Sequence, residues 1–216
     1  MIIGVSGKAR SGKDVFAEFL AEELIEKTGN VYVMMAYAHE LKCMAQKEFD
    51  LSWDQLWGDE KETYDLRYSK LRDILPYCVG NRDDGKGLEF LEERKHWTGR
   101  EIMQAFGEFY RSIDYNFWVK KLFSVVDDKE YENVIITDCR YPNEIDPVVE
   151  KNGYHIRINR RRDHRVHGLD HPSETSLDDG YKIDFDVDNN GTLDDLRKTA
   201  AETVAAMLNM EKLRRN

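Results

Sequence analysis

Gly7-Lys8-Ala9-Arg10-Ser11-Gly12-Lys13-Asp14 is the densest chemical signal in the chain. It fits the spacing G-x-x-x-x-G-K between an apolar run and an amphipathic stretch that opens at Val15. Glycines let backbone N–H groups converge on phosphate oxygens, and a following helix adds the positive end of its dipole. Lys13 would add a point charge at the β- and γ-phosphates of a nucleotide. Asp14 stands where Ser or Thr usually offers a hydroxyl to Mg²⁺. Its carboxylate could bind the ion directly or through water, or could simply favour the helix start. Asp138 closes the apolar run 134–137, and parallel-sheet ligands gather at such carboxyl ends, so it is a second Mg²⁺ candidate. Cys139 follows it, in place of the Glu that ATP-hydrolysing motors use on water, and no N-K-x-D guanine-reading motif occurs. Motor ATPases and GTPase switches lose ground, and phosphoryl transfer to a small acceptor gains it.

Phosphoryl transfer needs cations around the moving group. Arg140 lies just past a strand end, where a bidentate guanidinium could hold an acceptor phosphate. Arg100 and Gln104 are four apart on a predicted helix and share one face. The basic run Arg160-Arg161-Arg162-Asp163-His164-Arg165 suits a closing lid, with at least one of Arg160, Arg162 and Arg165 acting on the transferring phosphate. Phe117 and Trp118 could stack on a base or serve as core. His164, His167 and His171 are too loosely spaced for a zinc site. The run 186–191 begins like a calcium loop, but its twelfth position is Arg197 and not Glu. Asn190-Gly191-Thr192 spells a glycosylation sequon in a chain with no expected secretory route.

The elements that must position these groups alternate between strand and helix. Strands are predicted at 2–5, 31–35, 134–138, 154–158 and 185–187. A helix follows the glycine loop, another is led by Pro142, and a last one is striped by Leu193, Leu196, Ala200, Val204 and Met207. Helical patterns at 41–49, 64–79 and 98–110 fall in a charge-rich stretch without a sheet-forming run. This predicts an α/β fold: a three-layer core with a mainly parallel five-stranded sheet. One domain over 1–216 is expected, with core 1–38 and 115–216, a helical acceptor-binding insertion at about 39–114 and a lid at about 159–180.

Of 216 residues, 32 are Lys or Arg and 42 are Asp or Glu, a net charge of −10. That balance disfavours a protein built to grip polymeric nucleic acid. The longest apolar run, residues 31–38, is far short of the roughly 20 residues that cross a bilayer. No signal segment is expected at the start, and Cys43, Cys78 and Cys139 form no C-x-x-C pair. Membrane and secreted classes are disfavoured, and a reducing cytoplasm (host cytoplasm for a viral protein) is expected.

With these motifs in place, the chain resembles the bacteriophage deoxynucleoside monophosphate kinases within the P-loop nucleotide kinase group. The resemblance rests on the glycine loop with its G-K-D ending, Tyr37-Ala38-His39-Glu40-Leu41-Lys42 and Arg100-Glu101-Ile102-Met103-Gln104-Ala105-Phe106-Gly107 with Phe117-Trp118-Val119. It continues through Thr137-Asp138-Cys139-Arg140-Tyr141-Pro142-Asn143-Glu144, His171-Pro172-Ser173-Glu174 and Asp188-Asn189-Asn190-Gly191-Thr192-Leu193. It implies transfer from ATP, with Mg²⁺, to a deoxynucleoside monophosphate. It also implies that Lys42, Arg100, Gln104, Trp118, Arg140, Glu144 and Glu174 line the acceptor site, and that Asn190 and Gly191 pass the adenine of ATP. A homodimer is left open. Two alternatives stay open as well: a P-loop kinase for another small molecule, such as a coenzyme precursor, and a non-catalytic nucleotide-binding regulator.

Overall fold

The computed structural model describes residues 1–68, 96–161, 175–178 and 181–214. They divide into two compact units, residues 1–37 with 122–216 and residues 38–121.

The first unit is built on β1 (Ile2–Ser6), β2 (Val33–Met35), β5 (Val134–Cys139), β6 (Tyr154–Asn159) and β7 (Phe185–Asp188), in the order β2-β5-β1-β6-β7. Every pairing is parallel. β1 lies at the centre with a neighbour on each side, so all five of its residues are buried and its sequence is an unbroken apolar run ending in Ser6. Because successive residues face opposite ways, Ile3 and Val5 enter one core with Phe16, Leu20 and Leu24 of α1 (Lys13–Thr28). The same core holds Leu196, Ala200, Val204 and Met207 of the C-terminal helix Leu193–Arg214. Gly4 faces the other way. A Cβ there would lie 3.2 Å from Val148 and 3.4 Å from Ile145, both on the helix Pro142–Glu150. Helices therefore cover both faces of an all-parallel sheet, as the strand–helix alternation predicts. One position of the predicted stripe differs: Leu193 is 62% exposed, because it is the first residue of its helix and projects past the core.

The second unit holds most of α2 (Tyr37–Phe49), the short α3 (Trp53–Leu56) and α4 (Gly99–Ile113), with the start of α5 (Phe117–Asp128). Its core joins Ala45, Phe49, Leu51, Leu56, Trp97, Ile102 and Phe106. Capping boxes start α3 (Ser52 with Gln55) and α4 (Thr98 with Glu101), which is why both helices begin where they do. The sequence predicts helix from residue 64 and no strand in this stretch. The structure instead has a two-residue antiparallel pair, β3 (Tyr64–Asp65) with β4 (Trp97–Thr98). Two residues are too few to leave a period in the sequence. The buried Asp65 carboxylate holds the site together, accepting from Gln55 at 2.9 Å and from Arg67 Nη2 at 2.7 Å. The Arg67 hydrogen bond brings its pKa down to about 2. The rest of the predicted helix, 69–79, and Cys78 lie outside the described residues.

Candidate functional site

The loop of residues 7–12 joins the carboxyl end of β1 to the start of α1. Gly12 is left-handed (φ 87°), and a Cβ there would come within 2.3 Å of the Asn189 side-chain nitrogen. Asn189 is buried and donates from that nitrogen to the Ser11 carbonyl at 2.7 Å, while its own N–H reaches Asn159 O at 2.7 Å. The loop after β7 thus clamps the glycine loop, and only glycine fits at position 12. Ser11 Oγ is buried with no hydrogen-bond partner among the described residues. A buried hydroxyl with nothing to bond is costly in a finished fold and fits a loop that meets an oxygen-rich ligand.

Lys13 is 7% exposed, with Nζ 3.3 Å from the carboxylate of Asp14, which is itself exposed. Among the described residues no side chain caps α1, so its first amides keep donors for a ligand. Asp14 sits in the first helical turn, where its charge also suits the dipole. At the end of β5, Asp138 Oδ1 accepts from the Tyr37 N–H at 2.7 Å, and the buried Tyr37 hydroxyl donates to Glu144 O at 2.7 Å. Burial raises the Tyr37 pKa well above its ordinary value, so it stays a neutral donor. Asp14 and Asp138 both offer hard carboxylate oxygens, the ligand type that Mg²⁺ takes alongside phosphates and water. Among the described residues, no three His, Cys, Asp or Glu side chains are grouped to hold a metal by themselves.

Arg140 lines an open cleft with Ser6, Gly7, Lys8, Cys139, Arg157, Leu177 and Asp178. Glu144, expected among the acceptor contacts, is 2% exposed and accepts from the Arg140 N–H at 2.7 Å and the Tyr141 N–H at 3.1 Å. It closes the turn that presents Arg140, so the structure gives it a positioning role. Cys139 is buried and its thiol pKa is pushed up by that burial, which makes it a poor nucleophile.

Several expected residues sit in the other unit or outside the described chain. Arg100 and Gln104 share α4, where Arg100 is ion-paired to Glu62. The Lys42 ammonium lies 5.6 Å from the centre of the Trp57 ring. Trp118 is a core residue here: it is 2% exposed, packs edge-on against Tyr110 and Phe117, and donates from Nε1 to Gly107 O at 3.2 Å. Arg160 is exposed. Asn190 accepts from the Arg161 N–H at 2.7 Å, beside the Asn189 clamp, and Gly191 follows it. Arg162, Arg165, Glu174, His164, His167 and His171 lie outside the described residues.

Sequence reasoning missed Asn189, Tyr37, His155 and Arg157. His155 is 1% exposed, with Nε2 2.7 Å from Ser6 Oγ and Nδ1 2.7 Å from Lys182 O. A carbonyl only accepts, so Nδ1 carries the proton and Nε2 accepts from Ser6. Burial lowers the His155 pKa and keeps it neutral under the glycine loop. The signal available was polarity in an apolar strand: His155 and Arg157 alternate with the buried Tyr154, Ile156 and Ile158.

A five-stranded parallel sheet flanked by helices, with a glycine loop feeding a helix from its central strand, defines the three-layer P-loop kinase class. The deoxynucleotide monophosphate kinase family profile matches residues 86–200, more than half of the chain, and the chain belongs to that family. The protein is accordingly a kinase, a phosphotransferase. A protein of Acanthamoeba polyphaga mimivirus, provisionally named a deoxynucleotide monophosphate kinase, is 28% identical over 200 residues, covering 90% of this chain and 91% of its own. That relative comes from a giant virus, whereas the sequence resemblance is to bacteriophage enzymes. No helix among the described residues is long and apolar enough to cross a membrane.

Proposed function

We propose that this chain transfers the γ-phosphoryl group of ATP to a deoxynucleoside monophosphate, giving the deoxynucleoside diphosphate and ADP. The observation that carries the reading is the glycine loop of residues 7–12. It is clamped by Asn189, keeps a buried, unbonded Ser11 hydroxyl, and is followed by the buried Lys13. Lys13 and the loop amides would hold the ATP phosphates, with Asn190 and Gly191 beside the adenine. Asp14 and Asp138 would hold Mg²⁺, which neutralises charge on the phosphate oxygens. Arg140, presented by the Glu144-closed turn, would take the acceptor phosphate, and Lys42, Arg100, Gln104 and Glu174 would complete that side. Arg160, Arg162 and Arg165 would bring lid cations to the transferring group. An acceptor phosphate oxygen attacks the γ-phosphorus as the bond to ADP breaks. That oxygen is already anionic, so no general base is needed.

In this reading residues 1–38 and 115–216 form the core, about 39–114 form the acceptor-binding insertion, and about 159–180 form the lid. A cytoplasmic location belongs to the same reading, and the free thiols of Cys43 and Cys139 are compatible with it. The test is a panel of deoxynucleoside and nucleoside monophosphates with ATP and Mg²⁺, read as ADP release. ADP release that depends on a deoxynucleotide supports the reading. Failure of the whole panel favours a kinase for another small molecule or a non-catalytic regulator.

A further inference from the structure

Resting on the kinase reading, we propose that Arg157 is a phosphate-binding residue of the cleft and that Asp178 is an internal stand-in for phosphate, released when a nucleotide phosphate enters. Arg157 sits on β6 in register with Ser6 of β1, so a strand holds its guanidinium at the mouth of the glycine loop. Three cationic residues, Lys8, Arg140 and Arg157, line that cleft with one carboxylate, Asp178. The two oxygens of Asp178 serve different cations: Oδ1 accepts from Arg157 Nη2 at 3.0 Å, and Oδ2 takes the Lys8 ammonium. Arg157 Nη1 also donates to Leu177 O at 2.9 Å. One planar anion bridging an ammonium and a guanidinium presents the pattern that two oxygens of a phosphate would present. A phosphate brings more charge than a carboxylate and three acceptor oxygens, so it competes well for both cations.

The exposures point the same way. The Arg157 side chain is 18% exposed and Asp178 34%, so the carboxylate is the member with access to water and the guanidinium the member built into the sheet. An ion pair of this exposure contributes little to stability. Its value lies in keeping Arg157 and Lys8 aimed into the cleft while the phosphates are elsewhere. A carboxylate that must leave before phosphate binds also lowers the affinity for free phosphate, which favours ligands with further contacts to offer.

The test titrates the full-length protein with inorganic tripolyphosphate at fixed ionic strength, by calorimetry, so no turnover is needed. Asp178→Asn removes the competitor and is expected to tighten binding by roughly threefold to tenfold. Arg157→Met removes the cation and is expected to weaken it by about tenfold or more. If Arg157→Met does not melt cooperatively, Arg157→Lys replaces it, and a weaker but clear loss is expected because the bidentate fork is gone. Unchanged binding in the arginine variant overturns the proposal. So does an Asp178→Asn variant that weakens binding as much as the arginine variant, since the pair would then be a structural tie. The kinase reading fails separately: opposite shifts in tripolyphosphate binding with no turnover on any nucleotide would sink that reading and leave the phosphate stand-in in place.

Discussion

Near the glycine loop, Asn189, Asp138 and Glu144 are fixed by backbone atoms of neighbouring strands and turns, whereas in residues 38–121 Arg100 and Lys42 meet other side chains. Asn189 grips the Ser11 carbonyl, Asp138 takes the Tyr37 N–H, and Glu144 takes two N–H groups of the turn that carries Arg140. Arg100 instead pairs with Glu62, and Lys42 lies over Trp57. The difference teaches which of the candidate groups are built in advance. Backbone partners do not rotate away, so the phosphate loop is pre-organised at folding. Side-chain partners can exchange, and they leave the acceptor groups free to re-pair when a nucleotide arrives.

The comparison can be broken by mutation. Lys13→Ala should lower kcat by about 10²–10³-fold or more, because a buried charge at the phosphates is lost. Arg100→Ala should mainly raise KM for the acceptor, by on the order of tenfold, with a smaller change in kcat. Equal losses of kcat in both variants, read by steady-state kinetics, would erase the distinction between a fixed and an adaptable side. Asn189→Ala leaves the Ser11 carbonyl unbonded and should cost about 1–3 kcal/mol in urea unfolding while raising KM for ATP. An unchanged KM for ATP would show that the clamp is not part of the phosphate loop.

Acid gives the mildest discrimination. His155 is buried neutral, with its pKa lowered by burial, so its contribution is complete above the ordinary value of about 6.5. That contribution is lost as pH falls from there toward the lowered folded value. Asp65 in the other unit has its pKa lowered to about 2 by the Arg67 hydrogen bond. Its contribution stays whole down to about pH 4 and is lost between there and about pH 2. Hydrogen exchange at pH 5.5 should therefore quicken in β1 and β6 before the β3–β4 pair is affected. The reverse order would contradict a buried, neutral His155.

What was legible in the sequence follows from how the same forces leave marks. Residues 2–5 and 134–137 are apolar throughout because they are covered on both faces, and the G-x-x-x-x-G-K spacing is required by phosphate geometry, so the sheet and the loop could be read directly. Trp118 and Glu144 could be found as residues of a pattern but not given a role. A buried ring, or a carboxylate closing a turn, looks the same in sequence as one that meets a substrate. The β3–β4 pair was hidden by its length, and Asn189 and Arg157 by distance: the first meets Ser11 across 178 positions, the second meets Asp178 across 21. Such contacts are set by the order β5-β1-β6-β7, which residue patterns do not contain.

The central claim is that a phosphoryl group moves from ATP to a deoxynucleoside monophosphate. The most direct measurement incubates the purified chain with ATP, Mg²⁺ and each deoxynucleoside monophosphate in turn, and follows the phosphorus resonances of the products. The account predicts a deoxynucleoside diphosphate and ADP appearing in equal amounts with at least one acceptor, and neither with Lys13→Ala. ADP and inorganic phosphate without any deoxynucleoside diphosphate, or no turnover with every acceptor, would contradict it.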